Sequence, residues 1–191
     1  MTTTIPDLDR LLRLPSEDEH LEFKLATTRF DLDELFRYCV AIANEGGGRI
    51  VLGVSDALPR QVRGTQAHGN VQELKLQLFN GLHRRVEVEE VEHPDGRVLI
   101  VHVPSRPRGV PLEWHGSYLM RVGESLTSMT PDQLRRIMDE AVPDASALEV
   151  EGAILSDLDP ALVEVFRRDW VRKSGNAALS QLPEEQLLSD A

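Results

Sequence analysis

The sequence predicts an α/β (α+β) fold: a small mixed sheet with packed helices, followed by a helical C-terminal extension. Three observations carry this. Strand-like runs, some alternating and one apolar on both faces, interleave with capped amphipathic helices. Asp95-Gly96 separates two alternating runs, a strong hairpin signal. Beyond residue 145 the chain turns more acidic and its periodicity becomes helical. A chain of 191 residues with 41% hydrophobic content is long enough for one domain with a real core plus part of a further element.

The elements follow in order. Residues 7–14 read as a short helix, with Asp7 as N-cap, Leu8, Leu11 and Leu12 on one face, and Pro15 as the stop. Residues 19–26 read as a strand that puts Leu21, Phe23 and Leu25 on one side and His20, Glu22 and Lys24 on the other. Asp31 caps a helix over 31–44, whose apolar stripe is Leu32, Leu35, Phe36, Cys39, Val40 and Ala43. Gly46-Gly47-Gly48 end it. Residues 49–55 are apolar on both faces, the mark of a central strand, and Asp56 stands at the C-terminal end of that run.

A loop over 57–69 leads to a helix over 70–84, capped by Asn70, with Val71, Leu74, Leu78 and Leu82 inward. The hairpin strands are 86–92 and 97–103. An irregular connection over 104–111 precedes a strand at 117–122, which Gly123 ends. Thr130 caps a helix over 131–141, with Pro131 at its first position. Val142 to Ser146 reads as a linker and 147–155 as one strand. Asp159-Pro160 opens a helix through Trp170, and Pro183 opens another. The expected organisation is a main domain over 1–145, then over 146–191 a linker and helical connector to a further C-terminal part.

Composition excludes several classes. The net charge is -11, with -6 over 1–145 (17 Lys+Arg against 23 Asp+Glu) and -5 over 146–191 (4 against 9). No general field draws this chain to phosphates, so nucleic acid must be met by local clusters. No apolar run is long enough to span a membrane, and the N-terminus has neither a basic nor an apolar leader region. The single cysteine, Cys39, lies in a helix stripe and reads as a buried thiol. A cytoplasmic location is expected.

The triple glycine is not a phosphate loop. It follows a helix and precedes a strand, so it meets helix carbonyls rather than helix amides, and no Gly-Lys-Ser/Thr is present. No nucleotide site is expected. The carboxylates are the candidate. Glu22 lies on the polar face of its strand, Asp56 ends the central strand, and Glu17 reaches them if Ser16–Glu19 bends. Three converging anions recruit a hard cation, and oxygen-only ligands favour Mg²⁺ or Mn²⁺. Such a metal activates water on a phosphodiester, with Lys24 beside it to neutralise phosphate. Spacing alone favours a solvated acidic loop at 17–19 with an ordinary Glu22–Lys24 surface pair over a metal site, and Glu19 is an alternative to Glu17. The six histidines show no metal spacing. Lys75, Arg84 and Arg85, and separately Arg60 and Arg63, form modest basic patches.

Three blocks bear a family resemblance. His20-Leu-Glu-Phe-Lys24, preceded by Glu17, resembles the Glu-x-x-x-x-Glu-Phe-Lys signature of Schlafen AlbA-like domains. Ala41 to Asp56 resembles that family's Ala-Phe-Ala-Asn-x-x-Gly-Gly-x-x-x-x-Gly-Val-x-Asp block, and Tyr118 to Gly123, with Thr127 and Met129-Thr130, resembles its third. The resemblance covers roughly residues 10–140. It implies an AlbA-like α/β fold and nucleic-acid binding. Schlafen nucleases cut structured RNA such as tRNA with Mg²⁺ or Mn²⁺. Carried over, their triad falls on Glu17, Glu22 and Asp56 as catalytic and metal-binding residues, with Lys24 and Arg121 as phosphate contacts. A metal-dependent endoribonuclease, in phage defence or stress response, is therefore implied. The alternatives are a non-catalytic DNA-binding or regulatory module and a purely dimerising input domain. Schlafen nucleases clasp RNA between two such lobes and this chain carries one, so a homodimer is expected.

Overall fold

The computed structural model describes residues 3–141, 152 and 154–189. The expected linker at 142–146 and most of the expected strand at 147–155 lie outside the described residues. The chain forms two compact units, Met1–Val142 and Pro143–Ala191.

In the first unit, β1 (Leu21–Lys24), β2 (Gly48–Leu52), β3 (Glu87–His93) and β4 (Gly96–Val103) make one sheet in the order β1-β2-β4-β3. β1 and β2 run parallel, while β4 is antiparallel to both its neighbours, so the sheet is mixed. A parallel pair needs a crossover, and α2 (Leu32–Asn44) supplies it. The two inner strands are buried on both faces, which is why they read as continuous apolar runs.

Alternation sorts the side chains between two layers. Leu21, Phe23, Val51, Val98 and Ile100 face α1 (Ile5–Leu12), which contributes Leu8, Leu11 and Leu12. Ile50, Leu52, Leu99 and Val101 face α2 and α3 (Val71–Leu82) in the larger core. Glu22 and Lys24 pair with Ile50 and Leu52 in register, so β1 sends two charges toward that larger core at the sheet edge.

The expected caps of the later helices are present. Asp31 accepts from the Glu34 amide at 2.9 Å, Asn70 from Glu73 at 3.1 Å and Thr130 from Gln133 at 3.3 Å. The first helix differs from expectation. Thr4, not Asp7, is its N-cap, and Asp7 is the returning partner of a capping box, accepting from the Thr4 amide at 3.2 Å. The glycine run acts as a turn into β2. Gly46 and Gly47 hold φ of 104° and 92°, and a Cβ on Gly48 would fall on the His20 carbonyl of the neighbouring strand.

A second, two-stranded sheet consists of β5 (Leu119–Val122) and β6 (Ser125–Ser128), joined through Gly123-Glu124. β6 is not among the expected strands. Its Ser, Thr and Ser give no apolar alternation, and it is held by pairing rather than by burial. α4 (Pro131–Asp139) follows, and beyond its end Glu140 takes two hydrogen bonds from Arg106, each at 2.7 Å.

The second unit contains α5 (Pro160–Ser174) and α6 (Glu184–Ser189). Val163, Leu179 and Leu187 form its core, with Trp170, Val171 and Leu182 around them. Arg167 is buried there and donates to the carbonyls of Leu179 and Leu182 at 3.1 and 2.5 Å. Among the described residues, no helix is long and apolar enough to cross a membrane.

Candidate functional site

The Glu-x-x-x-x-Glu-Phe-Lys segment meets hairpin β5–β6 at the β1 edge of the sheet. Alternation along β5 turns Leu119 and Arg121 inward, and Arg121 is among the most completely buried side chains of the protein. Its guanidinium pairs directly with the Glu22 carboxylate, and its Nε donates to the Gly123 carbonyl at 3.2 Å. Glu22 is itself buried, and its other oxygen takes Lys24 Nζ at 2.6 Å. One carboxylate thus carries two cations. Lys24 also lies over the Tyr38 ring, 4.8 Å from its centroid. Burial alone would lower the Lys24 pKa, but hydrogen bonds to Glu22 and Tyr38 outweigh it and raise the pKa above the usual lysine range.

Glu17 is beside this cluster. It accepts from the Phe23 amide at 2.8 Å, and its second oxygen is 3.9 Å from Arg121 Nη2. That Nη2 is buried and has no hydrogen-bond partner. Burial, with the Glu22 carboxylate adding to it, pushes the Glu17 carboxyl up to about 7, against the pull of the Phe23 amide and Arg121. Glu19 turns toward the hairpin too. Its carboxylate accepts from the Gly123 amide at 2.9 Å, and that bond holds its pKa below the usual carboxylate range.

The structure therefore brings Glu17, Glu22, Lys24 and Arg121 together and leaves Asp56 out. β2 ends at Leu52, four residues before Asp56. Past Gly53, at φ 98°, Val54 bridges to Val62, and Asp56 sits exposed in the loop that Ser55 and Gln61 close. Arg121 is the second departure. A guanidinium buried against Glu22 positions the hairpin and presents nothing to a phosphate.

These residues do not fit a divalent metal in this arrangement. Mg²⁺ needs free carboxylate oxygens at about 2.0–2.1 Å. Both oxygens of Glu22 are engaged by side-chain cations, and one oxygen of Glu17 is engaged by a backbone amide. Among the described residues, no three His, Cys, Asp or Glu are grouped to hold a metal ion.

Two contributors were not singled out from the sequence. Asn44 is buried at the end of α2. It donates to the carbonyls of Leu112 and Leu119 at 2.9 and 2.8 Å and accepts from the Leu112 amide at 2.8 Å. Its position in an otherwise apolar helix stripe was the available signal, since a polar residue there needs several partners. Tyr38, one turn after Glu34 on the same helix, supplies the ring under Lys24. The basic patches are largely spoken for. Arg60 is buried over Phe23 and bonds the Leu14 carbonyl, and Lys75 and Arg85 share Glu87.

A mixed sheet flanked by helices, with a small hairpin latched to its edge strand by acid–base pairs, defines the class of domain. Residues 17–130 match the family model Schlafen, AlbA_2, and the chain belongs to that family. Among solved structures, it resembles the DIP2311 protein from Corynebacterium diphtheriae, with 20% identity and a TM-score of 0.54 over 96% of this chain. The chain spans 40% of the length of that protein. It also resembles the N-terminal domain of an ATP-dependent DNA helicase RecG-related protein from Nitrosomonas europaea, at 17% identity and a TM-score of 0.47, over 69% of this chain and 94% of that one. No curated protein matches.

Proposed function

We propose that this chain is a nucleic-acid-binding module that docks its ligand without cutting it, RNA being favoured over DNA. Membership of the Schlafen AlbA_2 family supports the ligand class. The state of Glu22 carries the rest. A carboxylate buried between Arg121 and Lys24 is a latch that holds hairpin to sheet, and its ligand positions are taken. Phosphate contacts on this reading come from the partly exposed Lys24 and from Arg29 and Arg37. These two arginines are exposed on the β1–α2 connection and on α2, and among the described residues no ion pair engages either.

One observation favours the family's other activity, a Mg²⁺- or Mn²⁺-dependent endoribonuclease using Glu17, Glu22 and Asp56. Burial pushes the Glu17 carboxyl up to about 7, the range of a group that exchanges protons in a reaction. The experiment that separates the two incubates the protein with labelled tRNA and with duplex DNA, with Mn²⁺ or with chelator. Docking predicts intact nucleic acid and chelator-insensitive binding. Binding should weaken steeply from about 50 to 200 mM salt, with a slope that falls by about one for each of Arg29→Ala and Arg37→Ala. Cleavage of tRNA that needs Mn²⁺ and is lost in Glu22→Gln would sink the docking reading.

A further inference from the structure

We infer that the outer face of α5 is a self-association surface, and that its occupant is the same helix of a second copy lying antiparallel to it. α5 is apolar on two sides. One side, with Val163, Trp170 and Val171, packs into the core of its own unit. The other carries Leu162, Val165 and Phe166, with Leu158 just ahead of the helix. Within the helix Leu162, Val165 and Phe166 fall at i, i+3 and i+4, one stripe whose edge is the Phe166 ring against Trp170 at 5.5 Å, and all of them and Leu158 are exposed, Leu162 at 66%. A contiguous apolar stripe left in water on a short helix marks an interaction surface.

The charges say what covers it. The start of the helix is acidic, with Asp157 and Asp159, while Glu164 is paired with Arg167 at 3.1 Å, and its end is basic, with Arg168, Arg172 and Lys173. The acid within the basic end, Asp169, is paired with Arg172 at 3.0 Å. A parallel copy would set like charges side by side. An antiparallel copy sets each acidic start against a basic end and opposes the two helix dipoles. A two-fold contact of this kind is closed, because every residue meets its counterpart's surface in both directions. A second copy therefore supplies both the apolar stripe and the reversed charge order.

Sedimentation velocity on the full chain tests this. The wild type should sediment as a dimer at about 100 μM and dissociate on dilution. Leu162→Glu and, independently, Val165→Lys should give monomers with unchanged helical circular dichroism, since neither side chain touches the core. Arg168→Glu should weaken the dimer several-fold at low salt, and the difference should close at high salt. A wild type that is monomeric at every concentration overturns the inference. So does a dimer that both stripe variants leave intact, whatever the nucleic-acid assay shows.

Discussion

Two of the fastenings that hold the segment from Pro104 to Thr130 to the body of its unit use opposite chemistry. At one, the neutral amide of Asn44 makes three hydrogen bonds to Leu112 and Leu119. At the other, the charged pair of Glu22 and Arg121 is buried, with Lys24 on the second oxygen. The amide clamp leaves nothing over, since its donor and acceptor are both used. The charged clamp leaves a surplus: Arg121 Nη2 has no hydrogen-bond partner, and Glu17 beside it is pushed toward neutrality. Neutral fastening costs little when intact, whereas charged fastening is tolerated only while each charge keeps its counterpart.

The sharpest way to break this comparison is to remove one charge. Arg121→Met leaves Glu22 buried against Lys24 alone. Loss of one partner of a buried pair costs about 3–5 kcal/mol, which is a fall of roughly 10 °C in Tm for a unit of this size. The double variant Glu22→Gln/Arg121→Met should recover part of that loss, because no buried carboxylate is left without its guanidinium and the ammonium of Lys24, which is partly exposed, can turn to water. Urea unfolding of the two variants checks both. A double variant no more stable than the single would refute the idea that the charges are the weak point.

Asn44→Ala is the matching cut at the neutral end. It strands one fully buried group, the Leu119 carbonyl, while the part-buried amide and carbonyl of Leu112 can turn to water, and an unmet buried group costs about 1–3 kcal/mol. The expected loss is therefore smaller than for Arg121→Met. Equal losses would mean that the two fastenings do not differ in kind.

Much of this arrangement was legible in the sequence, and the rest had specific reasons for being hidden. Alternation placed Glu22 and Lys24 on one face of β1 and Phe23 on the other, and the caps of α2, α3 and α4 followed from Asp31, Asn70 and Thr130. The Asp95-Gly96 hairpin followed from turn chemistry. What composition and periodicity do not report is which acid finds which base across 99 residues, as Glu22 and Arg121 do. The expected β-run continues through Val54 and Ser55 to Asp56, whereas β2 ends at Leu52 and Gly53 follows at positive φ. β6 was hidden because its side chains bury little.

Glu17 sharpens the comparison through pH. Burial raises its carboxyl from 4.5 to about 7 in the folded chain. The folded state then holds a proton that the unfolded state has already released, so this group's contribution to stability is present below about pH 4.5 and is lost as pH rises through 7. After solvent screening the loss is on the order of 1–2 kcal/mol. Glu17→Gln keeps an oxygen for the Phe23 amide and removes the titration. Its stability measured by urea from pH 5 to pH 8 should be flatter than wild type, with the variant gaining at the alkaline end. Parallel curves would show that Glu17 does not titrate in that range.

Asp56→Ala is the smallest expected effect, and it tests where the candidate site ends. The loop that carries Asp56 is closed by the Ser55 amide to the Gln61 carbonyl at 3.0 Å and by the Gln61 amide to Ser55 Oγ at 2.9 Å, neither of which involves the aspartate. The residue is exposed, and among the described residues no ion pair engages its carboxylate. Stability should change by less than about 0.5 kcal/mol, and affinity for tRNA in chelator should hold, while Arg29→Ala lowers it. If Asp56→Ala instead abolishes a Mn²⁺-dependent activity, the aspartate must travel to Glu17 in the bound state. The buried pair at Glu22 would then be a resting form that the ligand opens.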